Sequence, residues 1–463
     1  MELALTSFLL FLLAVITLVP SLYRMTIDFA EPGVWFALFY FAHFGFRGMS
    51  YLVFRDELAV QLPSVMFTEI QGPLFIAILG LISFWMGYFG VTRGYQSQLN
   101  IRPSLPAEWN YTRAVYVGLG CLLVGWIIRF GMMYLQAGGI IAWITAPKTE
   151  LLYIPGLAYV KLFQRTIPTA GVLILVIVAL KTTTKKYYFI ILLAAMAELG
   201  FRIILGKRSR FFFFLLMLLI VYYMTSNARR KLSPRLTIVS FGVLTLLLAM
   251  FPIISHLRRQ GAGELLTILV NIPEMVTDFK DILFTVTARL HGLDSLALVV
   301  HNVPSDVQWT SFSELLLIPV GVIPRAVWRG KPPINMGLRF NQEFIPAADP
   351  SRAIAVTMPG MFYWDAGVIG VLFGMVFVGI LWRLLYEYFV RPEGNLTGAF
   401  VTSTIFPTFF MTVEQTLVSL FTWHFFKFCI VVIIALLVVT PLNNQVRYRH
   451  LSPISTRHEE DAR

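Results

Sequence analysis

Apolar residues fall in runs of about twenty along the whole chain, separated by short polar stretches. Such runs lie near 3–22, 33–54, 72–91, 114–137, 157–180, 187–205, 211–227, 236–255, 361–381, 397–414 and 421–440. Coiled as a helix, a run of that length matches the hydrocarbon thickness of a bilayer. A helix also satisfies its own backbone, as the lipid core demands. The two-residue alternation of a membrane barrel is absent. The pattern therefore predicts an all-α polytopic membrane protein of about eleven transmembrane helices. The second run is the weakest, because it carries His43 and Arg47.

One interval breaks the rhythm. Residues 256–360 form a long segment with nine basic and nine acidic residues. Between 264 and 303 its apolar positions recur at helical spacing (Leu265, Leu269, Ile272, Val276, Phe279, Leu283), the pattern of amphipathic helices on a bundle or at an interface. Between 304 and 360 Pro and Gly are frequent, and Pro332-Pro333 excludes a helix interior, so short helices within an ordered irregular loop are expected. The domain plan is then a membrane domain of about eight helices over 1–255, an extracytoplasmic loop over 256–360, about three further helices over 361–440, and a cytoplasmic tail over 441–463. The first run starts directly after Glu2 with no basic segment before it, so no cleavable signal is expected.

Charge orients this plan. Lys and Arg number 17 in one set of alternating short loops and 5 in the other. Short cytoplasmic loops are the basic ones, which places the N-terminus outside, the C-terminus in the cytoplasm, and the long loop outside a cytoplasmic (inner) membrane. Three of the five outer charges sit in a single tight turn, Gly206-Lys207-Arg208-Ser209-Arg210. Either the span count is off by one or lipid headgroups hold these cations, or the turn binds an anion.

Composition agrees with the membrane reading: 57% of residues are hydrophobic and 13% charged, where soluble domains carry about 25% charged residues. The formal charge of +12 resides in these loops and does not imply nucleic acid. Cys121 and Cys429 lie inside apolar runs and read as packing residues.

Signatures of soluble chemistry fail. Residues 200–209 miss the phosphate-loop spacing by one, and no zinc-protease, paired-cysteine or nucleophile-elbow motif occurs. The seven histidines are scattered and predict no metal site, and no cofactor is expected. Asp278 and Asp281 read as a solvated helix face, and Gly370 with Gly374 as helix packing. Glu198 and Arg202, four apart within the sixth run, form an expected ion pair; Arg129 and Lys427 are further intramembrane charges. What stands out is outward-facing cations: Lys207, Arg208 and Arg210 in the turn, Arg258 and Arg259 after the eighth run, Arg289, and Arg325, Arg329 and Lys331. Arginine matches phosphate bidentately and stays charged. His291 and Asp294 lie three apart, and with Glu314 and Asp365 they are the candidate proton acceptors.

Residues 315–340 (LLLIPVGVIPRAVWRGKPPINMGLRF) resemble the outer-loop signature of bacterial oligosaccharide repeat-unit polymerases, the Wzy-type O-antigen polymerases, in the order Pro324-Arg325, Trp328 and Lys331-Pro332. The stretches 199–216 (LGFRIILGKRSRFFFFLL) and 358–370 (MPGMFYWDAGVIG) resemble two further regions of that family. The likeness covers 198–380, and the rest agrees in hydropathy. The spaced Arg-to-Gly pattern of some members has no counterpart: Asn341 stands sixteen residues after Arg325. The resemblance implies a glycan chain on undecaprenyl pyrophosphate as donor, a lipid-linked repeat unit as acceptor, and a chain-length regulator as partner. It carries over to Arg208, Arg210, Arg325 and Lys331 as substrate contacts. Joined to the charge reading, it gives Lys207, Arg208, Arg210, Arg258, Arg289, Arg325 and Lys331 as the candidate substrate-binding set, with His291 and Asp294 as the catalytic candidates. An O-antigen ligase using the same carrier, or a flippase or transporter of lipid-linked sugars, are the competing functions.

Overall fold

A computed structural model describes residues 2–24, 28–53, 70–95, 109–146, 154, 156–182, 186–205, 208–225, 289–323, 327–328, 330–331, 334–345, 349, 353–391 and 395–439. The expected span at 236–255 and the amphipathic stretch up to 288, with Arg258, Arg259, Asp278 and Asp281, lie outside the described residues. So do Lys207, Arg325 and Arg329.

The described residues are nearly all helical. Helix α1 (Glu2–Arg24) is followed by α2 (Pro32–Phe41), which passes through a widened π turn (Ala42–Phe46) into α3 (Arg47–Val53). Next come α4 (Gln71–Tyr95), α5 (Tyr111–Ala137), the short α6 (Ile140–Thr145), α7 (Ala158–Lys181), α8 (Lys186–Ile204) and α9 (Arg208–Thr225). Residues 289–349 contribute α10 (Gly292–Asn302), α11 (Leu317–Val322) and α12 (Met336–Phe344). Then come α13 (Met358–Leu385), α14 (Leu396–Met411) and α15 (Phe425–Val438), the last continuing without a break from the helical stretch Leu417–His424. Asn110, Asn335, Thr357 and Asn395 each cap the helix that follows by accepting from a backbone N–H.

Among the described residues, six stretches are long and apolar enough to cross a membrane: Gln71–Gly90, Tyr111–Ala137, Ala158–Lys181, Met358–Val390, Leu396–Glu414 and Leu417–Val438. Leu3–Leu18 and Ser209–Thr225 are shorter apolar helices. Exposure is inverted relative to a water-soluble protein. Leu123 and Ile127 of α5, Phe189 and Leu193 of α8, Ile369 and Phe373 of α13 and Ile433 of α15 face outward, while Arg129, Glu198, Arg47 and Asp294 are buried. Large exposed apolar faces with charges inside are what lipid as a solvent selects.

Helix α14 lies at the centre, covered by its neighbours over nearly its whole length. Hydroxyls of this helix and its C-cap donate to carbonyls one turn back (Thr404 to Phe400, 2.8 Å; Thr412 to Thr408, 2.6 Å), which meets those donors within the core, whereas the buried Thr402 hydroxyl has no partner among the described residues. Helices α4 and α13 approach more closely than any side chain would permit. A Cβ on Gly87 would lie 2.1 Å from the Val376 carbonyl oxygen, and one on Gly379 the same distance from that of Phe84. Backbone cannot yield as a side-chain tip can. Gly379→Ala is therefore expected to pry the two helices apart and cost about 1–3 kcal/mol, read as a lower unfolding temperature in detergent; an unchanged temperature contradicts the close approach.

The start of α13 is not straight. At Ala366 and Gly367 (φ 62°) the helix breaks, and Phe362 from the segment before the break packs onto Gly370 and Gly374. The left-handed φ at 367 favours glycine. The segment after α10 is strapped onto this break: Thr310 N–H donates to the Trp364 carbonyl (3.1 Å), Trp364 Nε1 to the Gln308 carbonyl (3.1 Å), and Phe312 N–H and the Thr310 hydroxyl to Asp365. Arg339 of α12 bridges Glu314 (3.0 Å) and Glu343 (2.6 Å). Burial acts to lower its guanidinium pKa, and these two carboxylates outweigh that and raise it.

Candidate functional site

Five helix ends converge on one side of the bundle. The N-terminal ends of α7, α9 and α15 meet the C-terminal ends of α8 and α14 around a cavity of about 610 Å³. Every one of these helices except α14 brings a cation. Lys161 and Arg165 lie one turn apart at the start of α7; Arg202 is near the end of α8; Arg210 opens α9; Lys427 opens α15. No Asp or Glu is among the described residues lining this cavity.

These cations feel one another. Arg165 acts on Lys161 and Arg210, and Arg202 acts on Arg210 and Lys427. A buried carboxylate behind the wall, Glu198, is shared. Arg129 grips both of its oxygens (Arg129 Nη2 to Oε2, 2.9 Å), and Arg202 lies 3.5 Å from it. Arg129 is also held by the Gln164 carbonyl (3.2 Å) and stacks over Phe201 at 4.0 Å. Arg202 donates to the Thr169 hydroxyl and to the Arg210 carbonyl (3.2 Å). Glu198 thus anchors Arg129 and Arg202 and leaves a surplus of positive charge. Like charges gathered away from water are costly unless an anion completes the set. The N-termini of α7 and α9 add to the positive potential.

A second cavity of about 600 Å³ abuts the first; Ala158, Gln415, Ser419 and Trp423 line both. Its walls come from the segment between α10 and α13 (Gly321, Lys331, Asn335, Met336, Ile354) and from the segment joining α14 to α15 (Glu414, Thr416, Thr422). Lys331 belongs to this wall, where its Nζ donates to the carbonyls of Gly321 (2.9 Å) and Ile323 (2.7 Å) and so fixes the loop. Glu414 lies 3.1 Å from His43 Nε2.

The sequence candidates distribute as follows. Arg210 is in the cationic cavity and Lys331 in the neighbouring one. Arg208 begins α9, and its side chain is outside the described residues. Arg289 is exposed, and its carbonyl lies 2.9 Å from His291 Nδ1. His291 immediately precedes α10 and is close enough to Glu414 to act on it electrostatically. Asp294 is buried and engaged by three groups: Arg47 Nε (3.0 Å), Arg47 Nη2 (2.8 Å) and the Tyr51 hydroxyl (2.5 Å). It ties α10 to α3. His291 and Asp294, three apart, thus serve different neighbours. Asp365 and Glu314 are occupied by the strap described above.

Sequence reasoning passed over Lys161, Arg165 and Glu414. Lys161 and Arg165 had a signal: two cations one turn apart at the start of an apolar run. Glu414, at the end of a run, had none of its own. No metal-ligating cluster occurs among the described residues. Compared with protein-family models, with curated proteins and with solved structures, the chain matches none.

Proposed function

We propose that this chain polymerises lipid-linked oligosaccharide repeat units, carried on undecaprenyl pyrophosphate, into a surface polysaccharide. In this reading it crosses the cytoplasmic membrane about eleven times, with its N-terminus and the 256–360 loop outside and its C-terminus in the cytoplasm. Supporting it is one observation above all: five cations from four helices lining a cavity with no carboxylate among its described lining residues. A diphosphate is an anion of suitable size and charge for such a wall, and three of the five cations are arginines, which pair with phosphate oxygens bidentately. The abutting polar cavity is then the place for the sugar that attacks.

The chemistry follows from charge. When the acceptor hydroxyl attacks the anomeric carbon of the donor glycan, the bond from that carbon to the diphosphate breaks. The electron pair stays on the diphosphate oxygen. Charge grows there as the reaction proceeds, so fixed guanidinium groups stabilise the transition state more than the bound donor. Exposed apolar faces on α5, α8 and α13 leave the carrier's polyprenyl tail in lipid while its headgroup enters the cavity. A chain-length regulator is the partner in this proposal.

The experiment is a deletion of the gene in its host, with the surface polysaccharide resolved by size and the wild-type or Arg208→Ala gene returned. Survival of single repeat units with loss of the ladder of longer chains is the expected result, and Arg208→Ala is expected not to restore the ladder. Loss of all surface glycan, single units included, points instead to the ligase or flippase. An unchanged ladder removes the proposal altogether.

A further inference from the structure

We propose that Glu414 takes the proton from the acceptor hydroxyl and that His43 is its positioning residue, an inference that rests on the function proposed above. Among the described residues lining the two cavities, Glu414 is the one carboxylate. Its neighbour in the chain, Gln415, lines both cavities, so Glu414 stands one residue from their boundary. That is where a hydroxyl in the polar cavity would meet an anomeric carbon whose diphosphate sits among the cations.

The carboxylate is held as well as placed. His43 Nε2 lies 3.1 Å from Glu414 Oε1, and the histidine is almost wholly buried. Phe39 packs edge-on against the imidazole at 4.7 Å between centroids. On another side α10 presses in: a Cβ on Gly292 would come within 2.8 Å of His43 Cβ and 3.1 Å of Nδ1. The ring has little room to turn, so Nε2 stays facing that oxygen. Glu414 keeps a quarter of its side chain accessible, enough to reach a bound sugar. The other candidate carboxylates are engaged elsewhere: Asp294 by Arg47 and Tyr51, Asp365 by Thr310 and Phe312, Glu314 by Arg339.

The step balances without a further reactant. The acceptor O–H bond breaks, its proton passes to Glu414, and the oxygen forms the new bond to the anomeric carbon. The diphosphate leaves with the electron pair of the broken bond, and Glu414 returns its proton to water before the next cycle. A positioned carboxylate in this role contributes about 100- to 10,000-fold.

The test uses the full chain in lipid nanodiscs, a lipid-linked repeat unit as substrate, and undecaprenyl diphosphate as binding probe. Glu414→Gln is expected to lower turnover by about 100-fold or more while probe affinity stays as in wild type. Glu414→Asp keeps the charge beside His43 and withdraws it by one methylene; an intermediate rate is expected. His43→Ala is expected to lower turnover with KM and probe affinity retained, and His43→Gln, which restores a donor at similar reach, to recover part of the rate. Glu414→Gln or Glu414→Asp turning over at the wild-type rate overturns the assignment and leaves the role of the cationic cavity standing. A wild-type protein that makes no polymer overturns both.

Discussion

Arg210→Ala is expected to slow chain extension by about 100- to 1,000-fold, the cost of removing one fixed donor from developing charge. Arg210 opens α9, lines the cationic cavity, and faces Arg165 and Arg202. The loss should fall mainly on turnover, because the diphosphate carries more charge as a leaving group than as a bound ester. Arg165→Ala is expected to behave alike. Arg210→Lys keeps the charge and loses the planar fork, so an intermediate rate is expected. Arg391→Ala is the matched control: that arginine is exposed, pairs with Glu387, and lies at the opposite end of α13 from the site. Rates measured on reconstituted protein decide the matter. Equal rates for wild type and Arg210→Ala contradict a diphosphate in this cavity.

The second large effect is on stability. Glu198→Ala is expected to cost about 3–5 kcal/mol, because it leaves Arg129 buried without its counter-charge. Both Arg129 and Glu198 are almost fully enclosed, and Arg202 relies on the same carboxylate at 3.5 Å. Replacing Arg129 and Glu198 together by methionine is expected to recover part of the loss, since two apolar side chains carry no desolvation cost. Thermal unfolding in detergent reads both variants. An unfolding temperature unchanged by Glu198→Ala contradicts the buried ion pair. Full stability combined with lost turnover would instead place Glu198 in the chemistry.

Much of this architecture was legible in the sequence, and the reason is that lipid imposes a simple rule. An apolar run of sufficient length becomes a helix, and the runs at 72–91, 114–137, 157–180, 361–381, 397–414 and 421–440 each correspond to an apolar helix with slightly different ends. The weak second run shows where the rule needs help. His43 and Arg47 make it read poorly, yet α2 and α3 form, with Glu414 and Asp294 meeting those two polar side chains from 371 and 247 residues away in the chain. Pairings at that separation leave no local trace. The site was partly legible for the same reason. Arg210 and Lys331 drew attention as cations in outward-facing segments, and both reach a cavity wall. Lys161 and Arg165 were hidden inside an apolar run, where hydropathy averaged them away. Asp294 was singled out by its spacing from His291, but spacing along a helix records a shared face only where both residues belong to the helix. Here His291 precedes α10, and the two side chains diverge.

The most direct measurement of the central claim is chain extension by the purified protein alone. The full chain, reconstituted in lipid, would be given a lipid-linked repeat unit and no nucleotide sugar, and the products resolved by size. The expected result is a ladder of glycans on the carrier, release of undecaprenyl pyrophosphate in step with each added unit, and loss of both with Arg165→Ala or Arg210→Ala. Intact repeat units with no ladder from the wild-type protein would contradict it.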